Sequence, residues 1–521
     1  MQKKQLTLVV VSLLVVVLSV SLAYFTTQII GKGKNLDVSS TNLQIVFTDS
    51  DGAITGNDIE PGWSVIKTFT IKNDSKSEYK YNIVIKDLVN TFVTEGYLQY
   101  KITSTNDGYN MTEFKGVSKS QTAKDKILAY SVSIPEGETQ NYTIEFKYAN
   151  DESVDQSDDM GRKLSGTLFI TEGTQPTLLS QILNDNPTRN ARDTYNAVFT
   201  NNTTGTLFTA TEKNVHNTTD TTVYYYAGNT TNNWVNFSGF YWRIIRTNAD
   251  GSVRLLYSGT EAEGTTGTNG MINTSTAFNS TYSDPMYVGY MYGTSGSLVN
   301  NRKNTTNSTI KDKIDTWYSQ NMTSYTKYLS TTAVYCNDRT EQTPGTYTTS
   351  TSSSFYYAPY ARVYTNYAPT YDCTEATDAF SGSNTSAKLT YPIALMTVDE
   401  IMRAGGKSNT SLTSPYAWYY LNSANGSITR STFWWLLSPS IWHGSYAYVF
   451  GVIGSSNPGS LNSGYVYQTF AVRPALSLKS CVKYSSGDGS ASDPYTIKET
   501  TSGCWQYLKN MPKWNEIYEN K

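Results

Sequence analysis

Short segments that alternate apolar and polar residues dominate the first part of the chain, and this period of two favours β-strands. The segments begin at Phe69, Tyr81, Leu98, Tyr130 and Tyr142, and Gly, Asn, Asp and Pro lie between them. Every second side chain of a strand points the same way, so each strand can present one apolar face to a core. The pattern predicts an all-β sandwich of the immunoglobulin-like type over residues 36–172.

An apolar stretch precedes the predicted sandwich. Two lysines come before an uncharged run from Leu6 to Phe25, which suits either a membrane-spanning signal anchor or a cleaved signal peptide. Ser21 and Ala23 place small residues where a signal peptidase cleaves, so we expect cleavage after Ala23 within an export segment of residues 1–30. In either case the rest of the chain is expected outside the membrane, at the cell surface or secreted.

Charge is scarce along the chain. Charged residues make up 16% of it, the net charge is −2, and it holds 42 tyrosines but only two histidines. Because no long run of Lys or Arg is present, we expect no nucleic-acid partner. The sequence also gives no reason to expect a cofactor.

Four cysteines lie in the last part of the chain, at Cys336, Cys373, Cys481 and Cys504. An even number of cysteines in an exported chain predicts disulfides, and neighbours in sequence suggest the pairs 336–373 and 481–504. Zinc binding is the weaker alternative, because there is no CxxC motif and neither histidine lies near these cysteines.

One acidic segment is spaced like a calcium-binding loop. Loop positions 1, 3, 7, 9 and 12 are occupied by Asp49, Asp51, Thr55, Asn57 and Glu60. However, position 6 is Ile54, where the loop requires glycine, and strands rather than helices flank the segment. We therefore expect a solvated turn here and no metal site.

The turn Ile59-Glu-Pro-Gly, followed by a strand that ends in Lys72-Asn73-Asp74, occurs in many exported sandwich domains. Together with the Leu-Ala-Tyr-Phe end of the export segment, it resembles the camelysin-like biofilm-fibre family. The resemblance implies a sandwich domain that assembles into fibres. Camelysin-type proteins are also associated with proteolysis, but no HExxH motif is present, so we expect no protease activity.

Residues 173–237 are rich in Asn and Thr, and we interpret them as a lead-in with a short helix at Leu178–Leu183 and otherwise loops and edge strands. The next module, residues 238–505, begins with a hairpin signal. Apolar segments at Phe240–Arg246 and Val253–Tyr257 flank Asn248-Ala-Asp-Gly, whose Asp-Gly suits a tight turn. Residues 506–521 are expected to form a tail.

Two helices are predicted in the same module. Ile310, Ile314, Trp317 and Tyr318 recur at helical spacing. A second helix should begin after Thr397, with Glu400 completing a capping box, and should end at Gly405-Gly406. Since short strands and turns surround these helices, the module is predicted to be α+β.

Residues 440–470 contain no Asp, Glu, Lys or Arg, and they lie between Phe433-Trp-Trp-Leu-Leu-Ser-Pro and Val472-Arg-Pro-Ala-Leu-Ser-Leu. Alternation places Tyr446, Tyr448 and Phe450 on one strand face, and Tyr465 and Tyr467 bracket Val466. Large amphipathic rings mixed with Ser, Gly and Asn suit contact with a partner. The alternative is that both faces are buried and the rings form the core.

The order WRIIRTNADGSVRLLYSG, CNDR, LTYPIALMTVDEIMRAGG, WWLLSPS and VRPALSL resembles a family of exported gut-bacterial proteins with a C-type-lectin-like module. The closing pattern is similar to the variable proteins of diversity-generating retroelements, in which the segment before the final Arg-Pro strand contacts the ligand. The resemblance implies that Arg473 and Pro474 are framework. It implies a ligand-contacting set of Ile441, Trp442, His443, Tyr446, Tyr448, Phe450, Ile453, Asn457, Asn462, Tyr465, Tyr467 and Gln468.

Enzymatic function has little support in the sequence. His216 and His443 lie in no recognisable catalytic motif, and Asp399 and Glu400 point in different directions on a helix. We therefore predict a cell-surface adhesin or receptor, without catalytic residues, that binds a protein or glycan on another cell, a phage or a host surface. A structural fibre protein is the alternative, and a glycan-active enzyme comes third.

Overall fold

The computed structural model describes residues 36–504, except 38–42, 48–52, 57–58, 74–77, 95, 174, 263–269, 421–432 and 455–456. The predicted export segment, the candidate calcium-loop residues Asp49, Asp51 and Asn57, and the predicted tail at 506–521 lie outside the described residues. The chain divides into two compact units, one ending at Gln175 and one beginning at Pro176. Both units are built mainly around β-sheets, and strands are the more frequent regular element of the described residues.

The first unit is built from strands β1 to β10. Their bounds are β1 Leu36–Asp37, β2 Leu43–Phe47, β3 Ala53–Gly56, β4 Ser64–Asn73, β5 Tyr79–Asn90, β6 Leu98–Ser104, β7 Lys115–Gly116, β8 Ser120–Ile134, β9 Thr139–Tyr148 and β10 Leu164–Glu172. A 3₁₀ turn covers Ser157–Asp159. All five predicted alternating segments lie in strands, which confirms the β-strand prediction for this region.

Two antiparallel sheets enclose the core of the first unit. One has the order β1-β2-β4-β9-β6-β7 and the other β3-β10-β5-β8. Alternate residues of β9, from Tyr142 to Tyr148, are buried against residues of the second sheet such as Ile83 and Ile85. The period of two therefore supplies one apolar face to each sheet, as the sandwich prediction requires.

The strands of the second unit are β11 to β30. Their bounds are β11 Thr188–Asn190, β12 Thr206–Asn214, β13 Asn217–Tyr225, β14 Trp234–Phe237, β15 Phe240–Thr247, β16 Val253–Tyr257, β17 Asn273–Ala277, β18 Met291–Tyr292, β19 Thr306–Asn307, β20 Tyr335–Cys336, β21 Ser354–Tyr356, β22 Ala379–Phe380, β23 Ile393–Leu395, β24 Trp434–His443, β25 Tyr446–Val452, β26 Leu461–Tyr465, β27 Thr469–Val472, β28 Pro474–Leu478, β29 Tyr484–Ser486 and β30 Tyr495–Ile497.

Short helices lie between these strands. They are α1 Leu178–Asp185, α2 Leu298–Asn301, α3 Thr309–Asn321, α4 Ala358–Ala361 and α5 Val398–Ala404. A π-helical turn at Arg362–Asn366 continues α4, and 3₁₀ turns cover Pro285–Val288, Thr323–Tyr328 and Thr385–Ala387. None of the helices in the described ranges is long and apolar enough to cross a lipid bilayer.

The local predictions for the second unit are confirmed. β15 and β16 pair as the antiparallel hairpin around Asp250-Gly251. Both predicted helices form, as α3 and α5, and the Thr397 hydroxyl and the Glu400 carboxylate make the two reciprocal bonds of a capping box. Gly405, at a φ of 122°, ends α5.

Residues 173–237 differ from the lead-in that we predicted. They contribute β11 to β14 to the ten-stranded sheet that also contains β15, β16 and β28. Leu207, Val223 and Val235 are buried, so the segment supplies part of the core of the second unit. Polar Asn and Thr on the exposed alternate positions of these strands hid this pattern in the composition.

Both predicted disulfides are present. Cys336 bonds to Cys373 and Cys481 bonds to Cys504, with Cα–Cα distances of 5.8 and 5.7 Å. Two disulfides are compatible with an exported protein, because such bonds form in oxidising compartments.

Candidate functional site

Residues 440–470, the charge-free segment, take part in two consecutive hairpins. A two-residue turn at Gly444-Ser445 joins β24 to β25, and both turn residues have positive φ, at 54° and 76°. That is the type I′ geometry, whose twist matches the twist of paired strands. β25 then pairs with β26, which is the edge strand, while β21 pairs with β24 on the other side. The four strands lie in the order β21-β24-β25-β26.

One face of these four strands carries the exposed side chains. His443 pairs with Tyr446, and Tyr448 pairs with Tyr465. β21 extends the same face, because Ser354 pairs with His443 and Tyr356 pairs with Ile441. Residues directly opposite each other on neighbouring strands point to the same side of a sheet. The face is thus assembled from two parts of the chain that lie far apart in sequence.

Five rings on this face contact one another, and we call them the tyrosine cluster: Tyr282, Tyr446, Tyr448, Tyr465 and Tyr467. Tyr282 stacks on Tyr446 at 5.3 Å and meets Tyr467 at 4.5 Å, while Tyr465 lies 4.4 Å from Tyr448 and 4.9 Å from Tyr446. Tyr282 and Tyr467 keep 37% and 39% of their surface exposed. Mutual contact restrains the rings while leaving them open to solvent.

Three further rings, the tyrosine row, follow β21 into α4 and the π-helical turn: Tyr356, Tyr360 and Tyr364. Their centroids are 4.3 and 4.6 Å apart, as the chain passes from β21 through α4 into the π-helical turn. Tyr356 is 38% exposed. The ring of Tyr364 lies 6.0 Å from that of Phe450, so the row covers one end of β25.

The opposite side of the strands belongs to the core. Trp442 is fully buried and pairs with Phe355 and Ala447, which are buried as well. The Trp442 indole nitrogen donates a hydrogen bond to the carbonyl oxygen of Ser350 at 3.1 Å. Val449 is also buried beneath the sheet. The exposed rings thus stand on a tightly packed layer of apolar side chains.

Burial removes three residues from the contact set that we predicted. Trp442 and Phe450 are 0% exposed and Ile453 is 7% exposed. Trp442 points into the core, as alternation requires. Phe450 shares the parity of Tyr448 but is covered by Tyr364, a long-range contact that alternation cannot reveal. Ile453 lies beyond the end of β25, roughly 20 Å along the strand from Tyr446.

Asn462 and Gln468, which we predicted to contact the ligand, instead accept hydrogen bonds from backbone N–H groups at the edge of the sheet. The outward N–H groups of β26 are those of Leu461, Ser463 and Tyr465. They donate to the Lys407 carbonyl at 3.1 Å, the Asn462 side-chain oxygen at 2.8 Å and the Gln468 side-chain oxygen at 3.1 Å. The side chains of Asn462 and Gln468 therefore cap N–H groups that an added strand would otherwise use.

Asn457 lies away from the face. Its side-chain oxygen accepts a hydrogen bond from the Ser411 hydroxyl at 3.3 Å. The structure therefore brings together Ile441, His443, Tyr446, Tyr448, Tyr465 and Tyr467 from the predicted set, and it places Asn457 at the far end of the β25–β26 hairpin.

The face carries few charges, and the pKa values of two of its tyrosines are raised. Burial raises the pKa of Tyr448 well above its usual value of 10, and its hydrogen bond to Tyr465 raises it further. Burial also raises the pKa of Tyr364 to about 12, with a smaller contribution from Tyr360. These phenols are uncharged at neutral pH. Segments 354–361 and 440–470, which supply most of the face, contain no Asp, Glu, Lys or Arg, while Asp284 and Arg362 lie two residues from Tyr282 and Tyr364.

Buried ion pairs hold the segment that carries the tyrosine row. Arg362, at the end of α4, pairs with Asp338 at 2.8 Å and with Asp399 of α5 at 2.7 Å. The Cys336–Cys373 disulfide closes the loop that contains β21 and the row. The disulfide therefore joins the two ends of this loop, and the ion pairs of Arg362 hold the part of the loop that carries the tyrosine row.

A second buried ion cluster lies beside it. Glu400 is 1% exposed and pairs with Arg246 at 2.9 Å and with Arg254 at 2.7 Å, while Glu212 pairs with Arg246 at 2.7 Å. The two carboxylates that could suggest acid–base chemistry, Asp399 and Glu400, thus both have arginine partners. Ion pairing therefore gives both carboxylates a structural role.

The histidines show no triad geometry. His443 Nδ1 lies 2.6 Å from the Ser354 hydroxyl in an exposed cross-strand pair. Among the described residues, no carboxylate hydrogen-bonds to His443, so the pair lacks the group that orients the base in a serine triad. His216 contacts the hydroxyls of Ser381 and Ser383.

Sequence reasoning missed Tyr282 and the tyrosine row. The row had a local signal, because tyrosines at positions 356, 360 and 364 follow helical i, i+4 spacing. Tyr282 had none, since its place depends on packing of the loop before Pro285 against β25. The framework prediction for Arg473 concerns a residue that is fully buried and donates to the carbonyls of Tyr419 and Gly270.

No protein-family model matches the chain, and no curated protein matches it. Solved structures that match in part include a ruminal GH26 endo-β-1,4-mannanase, at 16% identity over 24% of this chain and 22% of that chain, with a TM-score of 0.15. Another is AvmM, which catalyses macrocyclization in alchivemycin A biosynthesis, at 11% identity over 24% of this chain and 90% of that chain, with a TM-score of 0.12. Scores this low carry no argument about fold or function.

Proposed function

We propose that the protein is an exported binding protein of the cell surface and that the tyrosine cluster contacts its ligand. The observation that carries the proposal is the arrangement of five touching rings above a buried apolar layer, with Tyr282 and Tyr467 exposed and the other three half-buried. Tyrosine is enriched where proteins contact ligands, because it gives a large contact area and loses little conformational entropy on binding. A surface that is already ordered loses less entropy when it binds.

The ligand class in this proposal is a protein or glycan on another cell, a phage or a host surface. The lectin-like fold and the link to diversified proteins remain part of the proposal, and so does the immunoglobulin-like or camelysin-like class of the first unit. We propose binding rather than catalysis, since the carboxylates of α5 are ion-paired and no carboxylate in the described part of the chain hydrogen-bonds to the histidine of the Ser354–His443 pair.

The proposal is tested by replacing Tyr446, Tyr448 and Tyr465 with alanine together and probing the purified protein on a printed array of glycans and of purified bacterial surface proteins. We expect the triple variant to lose capture of every ligand that the wild type retains, with little change in melting temperature. Tyr224→Ala, in a half-buried tyrosine of β13, is the matched control and should keep all binding. Retention of binding by the triple variant, or a large fall in its melting temperature, would refute the proposal.

Fibre assembly through the first unit is the weaker proposal. Its edge strand β8 pairs with β5 through several bulges, and its outer part carries the exposed charged residues Lys124 and Asp125. Bulges and charges on an edge strand oppose pairing between molecules. Polymerisation of the purified first unit would favour the fibre function, and a monodisperse fragment would count against it.

A further inference from the structure

We propose that the tyrosine row and the tyrosine cluster form one elongated binding face, and that this face takes an uncharged glycan chain lying across both. The inference rests on the proposed function and deepens it in two ways. It adds Tyr356, Tyr360 and Tyr364 to the contact set, and it commits to a class of ligand.

Both ends of the tyrosine row contact the strands that carry the tyrosine cluster. At one end Tyr356 pairs with Ile441 of β24. Ile441 is next to Trp442, whose partner is Ala447, so Ile441 lies beside Tyr448 on the same face. At the other end Tyr364 covers Phe450, which points to the same side of β25 as Tyr448.

The combined face is long enough for several sugar units. Neighbouring strands lie about 4.8 Å apart, so the four strands from β21 to β26 span about 14 Å between their axes. Within this span the three rings of the row follow one another at centroid distances of 4.3 and 4.6 Å. A compact ligand would contact one group of rings, whereas a chain can contact both.

The charge pattern favours a neutral ligand. Residues 354–361 and 440–470 contain no acidic or basic residue, and the guanidinium of Arg362, just after the row, is held by Asp338 and Asp399. Acidic polysaccharides and charged protein patches would find no opposite charge on these segments. The faces of aromatic rings carry partial negative charge, which suits the weakly positive C–H groups on one side of a pyranose ring.

The closed edge of β26 argues against a peptide that binds as an additional strand. Strand addition requires free backbone groups on an edge. Here the three outward N–H groups are taken by Lys407, Asn462 and Gln468. A ligand would therefore contact the aromatic rings of the face rather than its backbone. Tyrosine rings, which end in hydroxyl groups, suit a glycan chain because its sugar units present C–H groups and hydroxyl groups.

The experiment uses native gels that contain soluble galactomannan, mixed-linkage β-glucan, xylan or amylose, with alginate as the acidic comparison. We expect at least one neutral glycan to retard the full chain and alginate not to. Oligosaccharides of the retarding glycan should bind more tightly as they lengthen, until they span both groups of rings. Tyr360→Ala should abolish this gain with length, a loss of about three- to tenfold for the longest oligomer.

The outcomes separate the two proposals. If short oligomers bind and require Tyr448, but affinity neither grows with length nor responds to Tyr360→Ala, the elongated face is wrong and the proposed function stands. If no neutral glycan retards the protein, the glycan ligand is overturned. If a glycan binds with the same affinity to the Tyr446, Tyr448 and Tyr465 triple-alanine variant, both proposals fail. Tyr360→Phe, which keeps the ring, should retain the length dependence, and loss of that dependence would show that stacking is not the cause.

Discussion

The buried carboxylate of Glu400 offers a sharp test of the second unit. It accepts hydrogen bonds from Arg246 Nε at 2.9 Å, from an Arg254 Nη at 2.7 Å and from the backbone N–H of Thr397 at 3.0 Å. Glu400→Gln keeps the shape and can keep the bond to Thr397. It removes the charge that Arg254 faces, while Arg246 retains Glu212.

The expected destabilisation is large because Glu400, Arg246 and Arg254 are all buried. Removing one partner of a buried ion pair typically costs about 3–5 kcal/mol, since the remaining charge stays buried without compensation. Arg254 is 1% exposed, and its only other hydrogen-bonded partner among the described residues is the Val334 carbonyl. For a unit of this size each kcal/mol shifts the melting temperature by about 1.4 °C, so we expect a fall of roughly 4–7 °C.

The effect should depend on pH in a defined direction. Burial alone would raise the pKa of the Glu400 carboxyl above its usual 4.5, but the Arg254 and Arg246 guanidiniums outweigh burial and hold the pKa below that value. A group with a lowered folded-state pKa stabilises the protein above its unfolded pKa and loses that contribution as the pH falls through the folded pKa. The difference between wild type and Glu400→Gln should therefore be full at pH 7 and shrink progressively below about pH 4.5.

Calorimetric melting of the full-length protein from pH 7 to pH 3 measures both effects. Glu375→Gln is the matched control, because Glu375 is 47% exposed and its nearest arginine atom, on Arg302, is 3.8 Å away. An exposed pair of this kind contributes about 0–1 kcal/mol. Equal melting temperatures for wild type and Glu400→Gln at pH 7, or a difference that grows on acidification, would refute the reasoning.

Three further predictions concern the binding face and its support. Replacing Cys336 and Cys373 with serine should cost about 3.8 kcal/mol in the chain-entropy model for a separation of 37 residues, and chemical denaturation should show it. Trp442→Ala should lower stability by about 3–5 kcal/mol, as a buried-core change does; an unchanged melting temperature would place Trp442 on the surface. Gln468→Ala should free the N–H of Tyr465, so that its amide exchanges with deuterium faster than in the wild type, and unchanged exchange would show that the edge is protected in another way.

Local sequence patterns predicted many of the strands and both longer helices of the second module correctly. Period-two alternation located the strands around Phe69 and Tyr142, and the Thr397–Glu400 spacing located the start of α5, because both signals depend on residues close together in the chain. The role of residues 173–237 in the core was missed. Their strands bury alternate residues such as Val223 against parts of the chain far away in sequence, and Asn and Thr dominate the exposed positions.

Alternation also predicted which side chains share a strand face in the candidate site, although it could not predict contacts between distant segments. Alternation correctly separated Tyr446 and Tyr448 from Ala447 and Val449, since it follows from strand geometry alone. It could not show that Tyr364 covers Phe450, because that contact joins two segments that only the folded sheet brings together.

The separation of exposed rings from the packed layer beneath them has an evolutionary consequence. Under the proposed function, substitutions at Tyr446, Tyr448, Tyr465 or Tyr467 would change what the surface recognises, and surface substitutions usually alter stability by no more than about 0.5 kcal/mol. Trp442 and Val449, on the opposite side, determine whether the hairpins form at all. Recognition can therefore evolve at one set of positions while foldability is preserved at another, and the strand alternates strictly between the two.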